Sequence, residues 1–235
     1  MAILAFPPIE SADENGLLAL GGDLEVESLL MAYNLGIFPW PINERYPLAW
    51  FSPDPRGILD FNNLHLSRSL KKSIKKKDWV VTFNQDFKQI IQQCADTTNR
   101  SKKEAQGTWI TKEIIDAYIK FHQAGYAYSV EVRIDNKIVG GLYGVQLGNA
   151  FSGESMFHTE TDASKIAIIT LMHLLNKHAV HWLDTQMVTS VIGDLGGIEI
   201  SRDDFINNLN QFKNIKEALN LNKIQPIHVE TFILS

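Results

Sequence analysis

The hydrophobic period of the chain changes at Tyr126, and no other feature restricts its fold more. Before that point Ile110, Ile114, Ile115, Tyr118 and Phe121 recur at helical spacing; after it Val130, Val132 and Ile134 alternate with Glu131 and Arg133. Side chains return to one face about every 3.6 residues in a helix and about every two in a strand, so the first run marks a helix with one buried stripe and the second a strand with one buried face. Asp135-Asn136-Lys137 then turns the chain into an apolar run over Ile138–Val145, which predicts an antiparallel hairpin. A third strand over Ala150–Phe157, a helix from about Ala163 to Asn176, a strand over Trp182–Gln186 and a helix after Arg202 complete a mixed α/β order.

Upstream, Phe83, Phe87, Ile90, Ile91 and Cys94 also follow helical spacing, so two packed helices are expected ahead of the hairpin. Leu66, Leu70 and Ile74 share one face of a further helix whose other faces carry lysines. Asn15-Gly16 and Gly21-Gly22 read as turns, Asp23 as the N-cap of a helix carrying Leu29, Leu30 and Tyr33, and Gly36 as its stop. Between Phe38 and Arg56 the prolines stand too close for a continuous helix, and FPWPINERYPLAWFSPDPR reads as an ordered, aromatic-rich loop suited to a lid or pocket wall. A linker is expected near Asn62-Asn63, and the chain beyond Lys213 carries no readable pattern.

The 235 residues suffice for one large or two modest domains, with roughly 70–75% of the extended surface buried. A hydrophobic fraction of 45% and a charged fraction of 21% exclude a disordered or fibrous chain. A single cysteine, Cys94, excludes an internal disulfide framework and a cysteine-cluster metal site, which fits a reducing cytoplasm. No stretch has the roughly 18 apolar residues of a membrane span, and the opening MAILAFPPIE has no basic leader, so neither export nor a membrane partner is expected. The net charge of -5 disfavours a polyanionic partner, yet Arg68–Lys77 (RSLKKSIKKK) holds six basic residues and no acidic one. One cationic patch therefore stands on an anionic protein.

Several stretches taken together resemble the leucyl/phenylalanyl-tRNA–protein transferases: NGLLALGGDL (15–24), AYNLGIFPW (32–40), FSPDPRG (51–57), HLSRSLKK (65–72), GTWIT (107–111), VGGLYGV (139–145), GESMF (153–157) and LDTQ (183–186). Each is weak alone, but they occur in the family's order from about Phe6 to about Asn208. The resemblance implies a small N-terminal α/β domain over residues 1–62. Residues 63–235 would form a larger N-acetyltransferase-like catalytic domain, with a mixed, largely antiparallel sheet flanked by helices and aminoacyl-tRNA in place of acyl-CoA as donor. It further implies transfer of Leu, Phe or, less efficiently, Met to proteins beginning with Arg or Lys, marking them for degradation in the N-end rule pathway. Three positions depart from the family's usual pattern: Ala49 where tryptophan is common, His158 where serine follows GESMF, and Thr185 where cysteine often stands. His158 bears on hydrogen bonding in the pocket.

Turning an ester into an amide runs downhill and calls for no ATP, metal or organic cofactor; it calls for placement, worth roughly 7–11 kcal/mol of effective concentration. Asp184 and Gln186 stand two apart in a predicted strand, so both side chains are expected on one face. Gln186 would hydrogen-bond the attacking α-amine while Asp184 polarises that contact or receives the proton. The 2′-hydroxyl of the terminal adenosine is an alternative relay, since an α-amine with a pKa of about 7.7–8.0 is partly neutral at cellular pH. Read without the resemblance, Asp184 merely ends a strand and caps a turn. Glu154 is a carboxylate within an apolar stretch and needs a partner; the resemblance sets it beside the donor's 3′ end, and an internal salt bridge is the plain alternative.

By the same resemblance Phe151, Met156 and Leu142, completed by Leu175, form the pocket for the transferred side chain, though as pattern they are ordinary core residues. Trp40, Trp109 and Tyr33 are candidates to stack on the terminal adenine, worth about 1–3 kcal/mol per base, or else to pack between domains. Arg68, Lys71, Lys72, Lys75, Lys76 and Lys77 would contact acceptor-stem phosphates without reading sequence, or form a solvated face. The residue that recognises the acceptor's Arg or Lys is not legible.

Two other readings carry less. An acetyl-CoA-dependent N-acetyltransferase would need the [RQ]-x-x-G-x-[GA] loop that holds pyrophosphate at a helix start, and the chain has none. A non-catalytic RNA-binding module leaves Asp184, Gln186 and Glu154 without a purpose. His173, His178 and His181 cluster, but with neither H-E-x-x-H nor cysteine ligands they do not make a metal site.

Overall fold

The computed structural model describes residues 3–42, 46–96, 108–215 and 218–234. In chain order the elements are β1 (Leu17–Leu20), α1 (Val26–Asn34), β2 (Phe38–Pro39), β3 (Ala49–Phe51), β4 (Arg56–Asp60), α2 (Arg68–Lys76), β5 (Val80–Phe83), α3 (Phe87–Ala95), α4 (Lys112–Gln123), β6 (Ala127–Ile134), β7 (Lys137–Leu147), β8 (Ala150–His158), α5 (Ala163–Lys177), β9 (Trp182–Gln186), α6 (Ser190–Asp194), β10 (Ile198–Ile200), α7 (Arg202–Phe212), β11 (Ile227–His228) and α8 (Val229–Ile233). They build a three-stranded sheet, β1-β3-β2, and an eight-stranded sheet, β10-β4-β9-β8-β7-β6-β5-β11. The large sheet is antiparallel except where β8 runs parallel to β9. Its mixed, largely antiparallel order flanked by helices is the architecture the sequence led us to expect.

The sheet's two faces bury separate cores. One is formed with α5, whose Ile166, Ile169, Leu171 and Met172 are fully buried, and with the apolar face of α2, Leu70 and Ile74. The other is formed with α1, α3 and α4, where Ile90, Ile91, Ile114 and Phe121 meet Tyr143 and Val145 of β7. Fully burying such side chains is worth about 1.5–3 kcal/mol each. The helical spacing read from the sequence thus becomes the two layers that clamp the sheet.

Several expectations need correction. Phe83, counted on the helical row, belongs to β5: the β-branched Val80-Val81-Thr82 pairs with β6, and α3 starts only at Phe87. Its start is stabilised from across the sheet, because the buried carboxylate of Glu131 accepts from Thr82 Oγ1 and from the backbone N–H groups of Gln85 and Asp86. Asp23 is not an N-cap; α1 begins at Val26, and Asp23 accepts instead from Glu25 N and Ser28 Oγ. The expected Phe38–Arg56 loop holds β2 and β3, and β4 joins the large sheet. The tail beyond Lys213 contributes β11, which covers the edge of β5. Such short pairings leave too few residues for a period to show.

Candidate active site

β8 and β9 pair at Ser152↔Asp184, and each carries an additional residue just beyond that pair. On β8 the step from Tyr143↔Ser155 to Gly144↔Gly153 leaves Glu154 without an opposite number, and on β9 the step from Ile58↔Asp184 to Gly57↔Gln186 does the same for Thr185. Bulges bend a strand and re-aim its side chains. Here two of them flank a cavity of about 380 Å³. Leu142, Glu154, Met156, His158, Ser164, Ile168, Leu183, Thr185 and Gln186 line it from the sheet and α5; Trp40, Gln93, Asp96 and Trp109 line it from the other elements.

Glu154 is 8% exposed. Gln186 Nε2 donates to its Oε1 at 2.7 Å, and the Tyr118 hydroxyl donates to its Oε2 at 3.4 Å. Tyr118 is itself hydrogen-bonded to the hydroxyl of Tyr33. Burial pushes the Glu154 carboxyl up to about 8; the negative charge of Asp184 adds to this, while hydrogen bonds from Tyr33 and Tyr118 and the charge of Arg56 pull it down. Burial, reinforced by the Glu154 charge, likewise holds both phenols well above their ordinary range. The cluster therefore presents a protonatable carboxyl, poised near neutral pH, to an enclosed space.

Asp184 stands behind this surface. It is fully buried, and four donors converge on its two oxygens: Arg56 Nε at 2.8 Å, Arg56 Nη2 at 2.7 Å, Ser152 Oγ at 2.8 Å and the Gln186 backbone N–H at 2.9 Å. The paired guanidinium compensates the cost of burying the charge. The expectation that Asp184 and Gln186 share one face is not met. Thr185 is the bulge residue and Gln186 adopts a φ of 62°, which breaks the alternation, so Gln186 lines the cavity and Asp184 does not.

Trp40 and Trp109 both line the cavity, with ring centroids 5.8 Å apart; Gly107, before Trp109, lies outside the described residues. Leu142 and Met156 line it too, whereas Phe151 and Leu175 are fully buried in the core and do not. Tyr33 is also buried and outside the lining, its phenol turned to Tyr118. On α2, capped by Ser67, Arg68, Lys71, Lys72, Lys75 and Lys76 are exposed, while Lys77 is half-buried and paired with Glu160 at 2.5 Å. Glu160 follows β8 by two residues, so that pair brings the end of the basic helix up to the strand that lines the cavity.

Arg56, Tyr118 and Ser152 are the members of this network that sequence reasoning missed. Arg56 stood in a proline-rich run read as loop, and Tyr118 on a row read only as core. A second tight feature is Gly57: a Cβ there would come within 2.5 Å of the Met187 carbonyl carbon, so only glycine lets β4 lie this close to the chain leaving Gln186.

Residues 58–210 match the model of the family described as leucyl/phenylalanyl-tRNA protein transferase, and residues 22–54 match the model of that family's N-terminal domain. A protein of Idiomarina loihiensis with that family's name is 46% identical over 211 residues, 89% of this chain and 87% of its own length. Its counterpart in Flavobacterium johnsoniae is 48% identical over 204 residues, covering 86% of this chain and 94% of the relative. The one in Colwellia psychrerythraea is 48% identical over 210 residues, 86% of this chain and 85% of the relative. Similarity of this extent along both segments means that the chain belongs to the leucyl/phenylalanyl-tRNA–protein transferase family.

Proposed function

We propose that this protein transfers leucine, phenylalanine and, less efficiently, methionine from aminoacyl-tRNA to the N-terminal α-amine of proteins beginning with arginine or lysine, marking them for degradation through the N-end rule pathway in the cytoplasm. The observation that carries the reading is the Glu154–Gln186 hydrogen bond, made where a cavity opens between two bulged strands. The lining of that cavity includes the carboxyl groups of Glu154 and Asp96. The exposed basic face of α2 lies outside the cavity, where it suits a phosphate backbone.

Chemistry follows from which atoms are committed. Gln186 spends its amide nitrogen on Glu154, so its Oε1 is the atom that accepts a hydrogen bond from the attacking amine. The lone pair of that amine forms the C–N bond to the ester carbonyl, the C–O bond to the terminal ribose breaks, and the ribose oxygen leaves with a proton. Asp184, its oxygens already engaged, fixes the geometry of Gln186 and takes no proton. An arriving ammonium stabilises the ionised form of Glu154 and so makes it a local proton acceptor; the 2′-hydroxyl of the terminal adenosine is the other available relay. Trp40 and Trp109 stack on the terminal adenine, and Leu142 and Met156 meet the transferred side chain. In such an apolar pocket one methylene is worth about 1–3 kcal/mol of discrimination.

The test is to incubate the protein with labelled Leu-tRNA and a peptide beginning with Arg, beside one beginning with Glu. Label is expected on the first alone; equal labelling of both, or of neither, defeats the proposal. Labelling from acetyl-CoA in a parallel tube would favour an N-acetyltransferase instead.

A further inference from the structure

Gln186 is a non-glycine residue in the left-handed region, with a φ of 62°. Such a conformation is strained for a residue with a side chain and persists only where its surroundings over-determine it. Two contacts do so here. The Gln186 N–H is held by Asp184 Oδ1 at 2.9 Å, and Gly57 of β4 pairs with Gln186 while passing close against Met187. Asp184 is in turn held by the residue before Gly57. Arg56, 1% exposed, gives Asp184 two parallel bonds and donates its remaining terminal nitrogen, Nη1, to the Gly36 carbonyl at 3.0 Å. Its guanidinium lies 4.8 Å from the Phe38 ring centroid and 4.3 Å from that of Phe205. The fork is thus fixed in plane and direction by α1's exit, β2 and α7 together.

We infer that Arg56 is a positioning residue for transfer: through Asp184 it holds the Gln186 backbone in the left-handed turn that points the amide at Glu154. This rests on the reading of Gln186 as the contact for the attacking amine. Without the fork, Asp184 keeps the Ser152 hydroxyl but loses the paired donors that fix its carboxylate in plane, so its bond to the Gln186 N–H is misaligned and the backbone relaxes toward an extended strand. The amide then leaves the cavity, although Gln186 itself is unchanged. A lysine at position 56 keeps the charge but not the two parallel bonds, so it does not substitute for the arginine.

The test uses the whole chain as R56K and as the charge-free pair R56M/D184N, since removing one partner alone strands a buried charge and risks unfolding. Transfer to an Arg-starting peptide is measured alongside thermal melting and the 15N resonance of the Gln186 side-chain amide, assigned by its loss in Q186A. In both variants kcat is expected to fall about 100-fold, the order reached when a reacting group is misplaced by about 1 Å, with KM for Leu-tRNA changed less than about threefold. The Gln186 amide resonance is expected to move to the position of a solvent-exposed amide while the rest of the spectrum is retained. A folded R56M/D184N variant with parental kcat, or with the Gln186 amide resonance unmoved, overturns the inference. The resonance is read without turnover, so it decides the role of Arg56 even if the parent protein transfers nothing.

Discussion

Gln186 Nε2 and Glu154 Oε1 meet at 2.7 Å across the gap where β8 and β9 cease to pair. The contact joins the extra residue of one strand to a left-handed residue of the next, and it turns a carboxylate and a carboxamide toward the same enclosed space. In an unbroken pleat Glu154 and Gln186 would share the face of Ser152 and Asp184; with the bulges at Glu154 and Thr185, Glu154 and Gln186 line the cavity while Ser152 and Asp184 do not.

Replacing Gln186 by alanine removes the amide that we propose accepts from the attacking amine, without creating a charge. We expect kcat to fall about 100-fold, the scale of a positioned acid-base or hydrogen-bonding group, with KM for Leu-tRNA nearly unchanged. Single-turnover kinetics at saturating tRNA read this directly. A fall in tRNA affinity with normal kcat would assign Gln186 to donor binding instead.

Glu154 predicts a stability cost paired with activity. Its folded pKa of about 8 lies above the ordinary 4.5, so the folded state holds this proton more tightly than the unfolded one. The stabilisation it gives is full below pH 4.5 and is lost as pH rises toward about 8. Glu154→Gln is therefore expected to be more stable than the parent at pH 8 by on the order of a few kcal/mol, to show no such advantage at pH 4, and to transfer at least about 100-fold more slowly. Urea midpoints at the two pH values, set beside the transfer rates, check all three.

Trp40 and Trp109 line the cavity close enough to share one ligand. Truncating either to alanine is expected to weaken a 3′-aminoacyl adenosine analogue by about 1–3 kcal/mol, roughly 5- to 150-fold, while Tyr33→Phe, whose ring lies outside the cavity, leaves that affinity within about threefold. Equilibrium binding by calorimetry measures the difference. Equal losses at all three positions would mean that the aromatic cluster acts only through packing.

The exposed cations of α2 carry a salt-dependence prediction. Lys71→Ala and Lys75→Ala leave the buried face, Leu70 and Ile74, intact, so melting temperatures should not move. Every tRNA phosphate that is no longer neutralised should reduce the slope of log affinity against log salt by about 0.7–0.9. Filter binding of uncharged tRNA between low and physiological salt gives the slope. An unchanged slope in the double variant would reduce α2 to a solvated face.

Much of this fold was legible as local pattern. The period change at Tyr126, the turn at Asp135-Asn136 and the strand at Trp182–Gln186 each depend on neighbours a few residues away, and each stands where the pattern put it. β5, β11 and β10 were not legible, since strands of two to four residues are too short to show a period and are fixed by the partner they pair with. The candidate site divides in the same way. Glu154, Gln186, Trp40, Trp109, Leu142 and Met156 were identified as residues and do line one cavity.

What the chain could not announce by itself is the role that each buried polar group takes. From the sequence Asp184 is expected to polarise the Gln186 contact or receive the proton; what the sequence does not show is that Arg56, 128 residues away, donates two hydrogen bonds to its carboxylate. Composition and periodicity determine which faces must leave water, because burial is a property of single side chains and their spacing. The partner of a buried charge, and the bulge that rotates Gln186 into the cavity, are decided only when distant strands close on one another, because an ion pair and a register are properties of two segments at once.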